Sequence, residues 1–163
     1  MEMTMKRLFL LGAVFLSAAA DAETLPTQHA KGAGFNACLD LVDGLSKFVI
    51  KDNNHGSLAT WNNNEADTRL FNALIAVKYP DGHSAAMLNV SPGKTGRCDG
   101  SYTTVFYVDK SCSVARETNF SDWKYSGELA GLVVLKNPSG SVDRLLMPAG
   151  NGCIAISTEV VYQ

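Results

Sequence analysis

The chain lacks a surplus of basic residues: 14 lysines and arginines stand against 16 aspartates and glutamates, a formal net charge of −2. Without a positive stripe there is little to release counterions from a nucleic-acid backbone or to hold an anionic membrane surface, so neither is the expected target. Beyond residue 20 there is no long apolar run, so no membrane span is expected in the rest of the chain. Cysteines at C-x-x-C spacing are missing and the three histidines, His29, His55 and His83, lie far apart, which removes the usual signature of a zinc site. Repeats, linkers and low-complexity tracts are absent too, and nothing in the composition divides the chain into several domains.

What is present begins with Lys6-Arg7, an apolar run from Leu8 to Ala20, and the small-x-small sequence Ala20-Asp21-Ala22. A positive end, a short apolar centre and small residues at a cleavage position are the layout of a secretory signal, and the run is too short to cross a bilayer. The expected organisation is a signal peptide over 1–22, a mobile polar segment over 23–34 and a single domain over 35–163, placed in the periplasm or secreted.

An even set of four cysteines, Cys38, Cys98, Cys112 and Cys153, in an exported chain predicts two disulfides. The run Tyr102 to Lys110 is dense in β-branched and aromatic residues, and as a strand it spans about 30 Å at roughly 3.3 Å per residue. Bridged Cα atoms lie within about 7 Å, so Cys98 and Cys112 cannot pair with each other. Each must bridge to Cys38 or Cys153, in an order the sequence leaves open.

The stretch "GFNACLDLVDGLSKFVI" sets Phe35, Cys38, Val42, Leu45 and Val49 three and four residues apart, the period of an amphipathic helix, with Asn36 as its expected cap. Gly44 weakens that helix by about 1 kcal/mol relative to alanine, and "KDNNHGS" ends it. The remainder alternates strands and turns. Leu70–Tyr79 and Ala85–Val90 flank Pro80-Asp81-Gly82 and predict a hairpin. After Tyr102–Lys110 come Glu128–Lys136, Val142–Met147 and Ile154–Tyr162, separated by "NPSG" and "PAGNG" as in an antiparallel meander. In the last run Ile154, Ile156, Val160 and Tyr162 share one face, which is expected to meet the core. Between Cys112 and Trp123 the pattern is ambiguous and admits a short helix. The expected fold is a single α+β domain: one N-terminal helix on an antiparallel sheet of about five to seven strands, stabilised by disulfides.

Several short sequences imitate catalytic motifs. Gly93-Lys94-Thr95 lacks the glycine five positions earlier, where Leu88 stands, and the glycine-rich Gly96-Arg97-Cys98-Asp99-Gly100 follows instead of a helix; it predicts a turn, not a phosphate loop. Ser91-x-x-Lys94 with Lys94-Thr95-Gly96 would make one lysine serve two motifs that penicillin-binding enzymes draw from distant parts of their fold. Gly82-His83-Ser84-Ala85-Ala86 departs from the nucleophile elbow at its last glycine, and no histidine follows His83 to act as base. Asp40 and Asp43 sit on neighbouring turns of the predicted helix, where solvated charge explains them as well as acid–base work does. Asp52, His55 and "WNNNEAD" lack the ligand spacing of a calcium loop.

Trp61, Trp123 and Tyr125 are the candidate binding residues, because they lie in the polar surroundings "ATWNNNEAD" and "NFSDWKYSG" rather than inside alternating strands. Partly exposed tryptophan and tyrosine offer contact area with few rotors to freeze. The expected function is that of a small exported binding protein, of inhibitor or immunity type, acting on a protein or a cell-envelope ligand with no cofactor and no metal. The alternatives are a small secreted hydrolase, using Ser84 with His83 or a carboxylate pair, and a structural component of the envelope.

Overall fold

The computed structural model describes residues 22–163; residues 1–21 of the expected signal segment lie outside it. Two helices come first. Helix α1, Leu25–Ala33, opens on Thr24, whose side chain accepts from the Thr27 N–H, and closes on Gly34 at φ 77°, where the amide returns to the carbonyls of Ala30 and Lys31. The segment 23–34, expected to be mobile, is therefore largely helical. Its signals were an N-terminal hydroxyl, Pro26 in the first turn and a C-terminal glycine, which the polar composition masked. Burial of Pro26, Thr27 and Ala30 then docks it.

Helix α2, Leu39–Ile50, buries Leu41, Val42, Leu45, Val49 and Ile50. Asn36 does not cap it; instead Asp67 accepts from the backbone N–H groups of Asn36 and Ala37 at 2.6 and 2.5 Å, from a short 3₁₀ turn at Ala66–Thr68. Between α1 and α2 runs a hydroxyl cluster: Thr24 Oγ1 lies 2.7 Å from Ser46 Oγ, and the Thr27 hydroxyl donates to Asp43 at 3.2 Å.

Eight strands follow, one more than the upper expectation: β1 Asn54–Thr60, β2 Phe71–Tyr79, β3 Gly82–Pro92, β4 Cys98–Val108, β5 Lys124–Leu129, β6 Leu132–Lys136, β7 Asp143–Ala149 and β8 Gly152–Tyr162. They form a single antiparallel sheet in the order β1-β2-β3-β4-β8-β7-β6-β5. Strand β1 grows out of the turn-rich "NNHGS", where no apolar alternation marks it. The run Glu128–Lys136 is divided into β5 and β6 by Ala130 and Gly131, both in the left-handed region at φ 49° and 80°, the conformation of a tight hairpin turn. Helix α3, Cys112–Thr118, connects β4 to β5.

All three helices lie on one face of the sheet and build two separate cores. The first gathers α1 and α2 over β2–β4, with Phe35, Phe71, Ile75 and Leu88 fully or almost fully buried. The second gathers α3 over β4 and β6–β8, around Ala115, Leu135, Leu146 and Ala155. One disulfide serves each core: Cys38–Cys98 ties the start of α2 to β4, and Cys112–Cys153 ties α3 to β8. Neither joins Cys98 to Cys112. The two disulfides fit an oxidising environment outside the cytoplasm, and among the described residues no helix is long and apolar enough to cross a membrane.

The face of β8 was misassigned by its alternation. Cys153, Ala155 and Ser157 are the buried residues, while Val160 and Tyr162 are exposed and Ile154 and Ile156 only half-buried on the open side. Small residues line the covered side because the helices come close. At Gly100 a Cβ would sit 2.8 Å from Leu45 Cδ1 and 3.0 Å from Leu41 Cδ2, so α2 rests on bare backbone there.

Candidate binding cleft between the two cores

Between α2 and α3 a strip of the covered face has no helix over it. Alternation along the strands sends Ser84 of β3, Thr104 and Phe106 of β4, Ser157 of β8 and Arg144 of β7 to this face, and the register aligns Ser84 with Phe106, Thr104 with Ser157 and Ser157 with Arg144. These residues floor a cleft of about 500 Å³. Phe48 and Val49 of α2, with Tyr79 and Tyr102, form one wall; Trp123 and Arg144, with Asn137 and Val142, form the other. The Tyr79 hydroxyl donates to the Val49 carbonyl at 3.1 Å and holds the first wall to the sheet.

Arg144 is the side chain that organises the second wall. Its guanidinium carbon lies 3.7 Å from the ring centre of Trp123, 4.3 Å from Phe120 and 5.5 Å from Phe106. Nε donates to the Ser157 hydroxyl at 2.8 Å. Burial pushes the guanidinium down to about 10 against the opposing charge of Asp122 and the influence of Tyr102. Cation–π stacking is worth more in such a desolvated setting than on an open surface. Across the floor, the Tyr102 hydroxyl donates to Glu159 Oε2 at 2.7 Å. Burial, then that hydrogen bond and the Glu159 charge, push the phenol far above the usual tyrosine range.

The candidate residues fall in different places. Trp123 lines the cleft. Trp61 packs against the first core beyond the edge strand β1, five strand spacings from β7, or roughly 24 Å along the sheet. Tyr125 is exposed on the other edge strand, β5, beneath the Arg116 guanidinium at 5.5 Å, and does not line the cleft. Trp61 and Trp123 thus belong to separate surfaces. Arg144 and Phe48 were missed: an arginine in a half-apolar strand and a phenylalanine in an amphipathic helix carry no local mark. The one available sign was the density of Phe120, Trp123 and Arg144 around a segment without strand alternation.

Ser84 lines the cleft, and so do His83 and Asp81, but no hydrogen bond joins Ser84 to either among the described residues. His83 is its immediate neighbour on β3, and consecutive strand side chains leave opposite faces. Asp43 is held by Thr27 and by Lys47 at 2.9 Å, while Asp40 is exposed, so this pair serves the helix layer. Gly93-Lys94-Thr95 lies in the β3–β4 turn, where Gly93 N–H donates to the Arg97 carbonyl at 2.7 Å and β4 follows directly. No cluster of His, Cys, Asp and Glu suited to a metal occurs among the described residues. No family model, curated protein or solved structure matches this chain.

Proposed function

We propose that this chain is an exported binding protein, of inhibitor or immunity type, that receives part of a protein or cell-envelope partner in the cleft between its two cores. The observation that carries this reading is Arg144, stacked on Trp123 and Phe120 with its plane fixed by Ser157 at the wall of an open cleft. Tryptophan and arginine are the side chains most enriched at the energetic centres of interfaces, and here both are held in one orientation before any partner arrives. Phe48 adds an apolar surface opposite them, 58 % exposed although its ring lies 5.2 Å from that of Tyr102. Catalysis gains no comparable support, since no hydrogen bond links Ser84 to His83, although both line the cleft.

The test is capture of partners from envelope extracts on the immobilised chain. Trp123→Ala should lower affinity by about 2 kcal/mol, the usual size for a central aromatic anchor. Trp61→Ala, on the other surface, should leave capture unchanged. The reverse pattern would move the site to the β1 edge.

A further inference from the structure

The cleft lining brings two cations together, with Asp122 near Arg144 and Glu159 held by Tyr102 beside them. Its charged residues are Lys51 and Arg144 against Asp81. Among the described residues no carboxylate lies within ion-pair distance of Arg144, and the only hydrogen bond made by its guanidinium is the one from Nε to Ser157. The two terminal nitrogens are left to the cleft. Aromatic rings lie against the guanidinium, and the paired terminal nitrogens are the donors that a carboxylate's two oxygens match. Glu159 accepts from Tyr102 and makes no ion pair with Arg144 among the described residues.

Lys51 supplies a second cation at the rim, just after α2. It sits at φ 52° and ψ −146°, a conformation that glycine takes at lower cost. A lysine kept there presents its charge at the cleft mouth. Phe48 and Tyr102 form an apolar wall facing Arg144.

We infer that the cleft binds a carboxylate borne on an apolar body, held by Arg144 as a two-pronged donor, drawn in by Lys51 and packed against Phe48; this rests on the cleft being the binding site. The group belongs either to a small carboxylic acid or to the C-terminus of a polypeptide.

The experiment is an NMR titration of the disulfide-intact, ¹⁵N-labelled chain, reading the Trp123 indole N–H and the Thr104 and Ser157 amides. The probes are 3-phenylpropionate, 3-phenylpropionamide, inorganic phosphate, and acetyl-glycyl-phenylalanine with a free or an amidated C-terminus. The acids should shift these signals and bind at least tenfold more tightly than the matching amides and than phosphate. Arg144→Lys, which keeps the charge but loses the fork, should remove most of that preference. Lys51→Gln, on the exposed rim, should weaken the acids about threefold and leave the amides unchanged. Tighter binding of the free-acid peptide than of 3-phenylpropionate assigns the group to a chain terminus; the opposite order assigns it to a small acid. Equal affinity of acids and amides overturns the carboxylate inference while leaving the cleft as a binding site, and so does phosphate binding as tightly as the acids. Silence of all three reporters to every probe overturns the inference; partner capture that also survives blocking the cleft removes the cleft reading itself.

Discussion

The Arg144 guanidinium lies 3.7 Å from the ring centre of Trp123 and donates at 2.8 Å to Ser157, so a residue of β7 is fixed at once by the chain before β5 and by β8. Holding a charge this way has a cost, visible in the downward push that burial exerts on Arg144. Cation–π attraction and one hydrogen bond offset part of it.

From this follows a separation of stability from binding. Arg144→Met keeps the bulk between the rings and removes the desolvation penalty, and should change unfolding free energy by no more than about 1 kcal/mol, because loss of the charge offsets loss of the stack. Arg144→Ala leaves a gap among three rings and should cost about 2–3 kcal/mol. Urea unfolding measures both, and a methionine variant as damaged as the alanine one would show that the cation itself holds the second core.

Tyr102 sets an alkaline limit. Its phenol is raised in the folded chain above the ordinary value of 10.0, so between the unfolded and folded values the folded state holds a proton that the unfolded state has lost. Its stabilising contribution is complete below pH 10 and falls as pH rises above it. Arg144, lowered to about 10, acts in the opposite sense over the same range, since there the unfolded state keeps the proton. Unfolding followed from pH 9 upward should therefore show a steeper alkaline loss in the wild type than in Tyr102→Phe. Parallel curves would remove Tyr102 as the cause.

Two glycines should respond in opposite directions. Gly44, inside α2, has nothing within 4 Å of an added Cβ, and Gly44→Ala should stabilise by about 1 kcal/mol. Gly100→Ala drives a methyl into Leu41 and Leu45 and should destabilise by about 1–3 kcal/mol. Equal and favourable shifts would mean that α2 rides higher above β4 than described.

Peptide mapping without reduction should recover Cys38–Cys98 and Cys112–Cys153. The sequence separations are 60 and 41 residues, which in the chain-entropy model makes loss of either bond worth about 4 kcal/mol. Replacing one pair by alanines and following thermal unfolding checks the size; a shift too small to detect would show that the cores hold these ends without the link.

How much was legible depended on where the physics is local. The apolar period of Val42, Leu45 and Val49, the Pro80-Asp81-Gly82 turn and the β-rich Tyr102–Lys110 each carry their structure in a few residues, and helix α2, the β2–β3 hairpin and β4 follow from them. The reach of β4 was enough to forbid a Cys98–Cys112 bond. Strand β1 depends on pairing with β2, which no residue of "NNHGS" announces. The face of β8 was lost because its buried side had to be small under the helices, so Ala155 and Ser157 lie inside while Val160 lies outside. The cleft exists only because two helix layers leave a strip between them, and Phe48, Thr104, Trp123 and Arg144 meet there from four elements or connections. Trp123 could be singled out for its polar surroundings; its partner Arg144 could not.

The central claim is that the partner enters the cleft, and the most direct measurement is partner capture by a chain whose cleft has been plugged. Thr104→Trp places a large ring on the cleft floor while leaving Trp123, Arg144 and all four cysteines unsubstituted. With the fold verified by circular dichroism and by recovery of both disulfides, the plugged chain should lose at least a hundredfold in affinity for the partner that the wild type captures. Capture at wild-type affinity by that folded, plugged chain would contradict the claim.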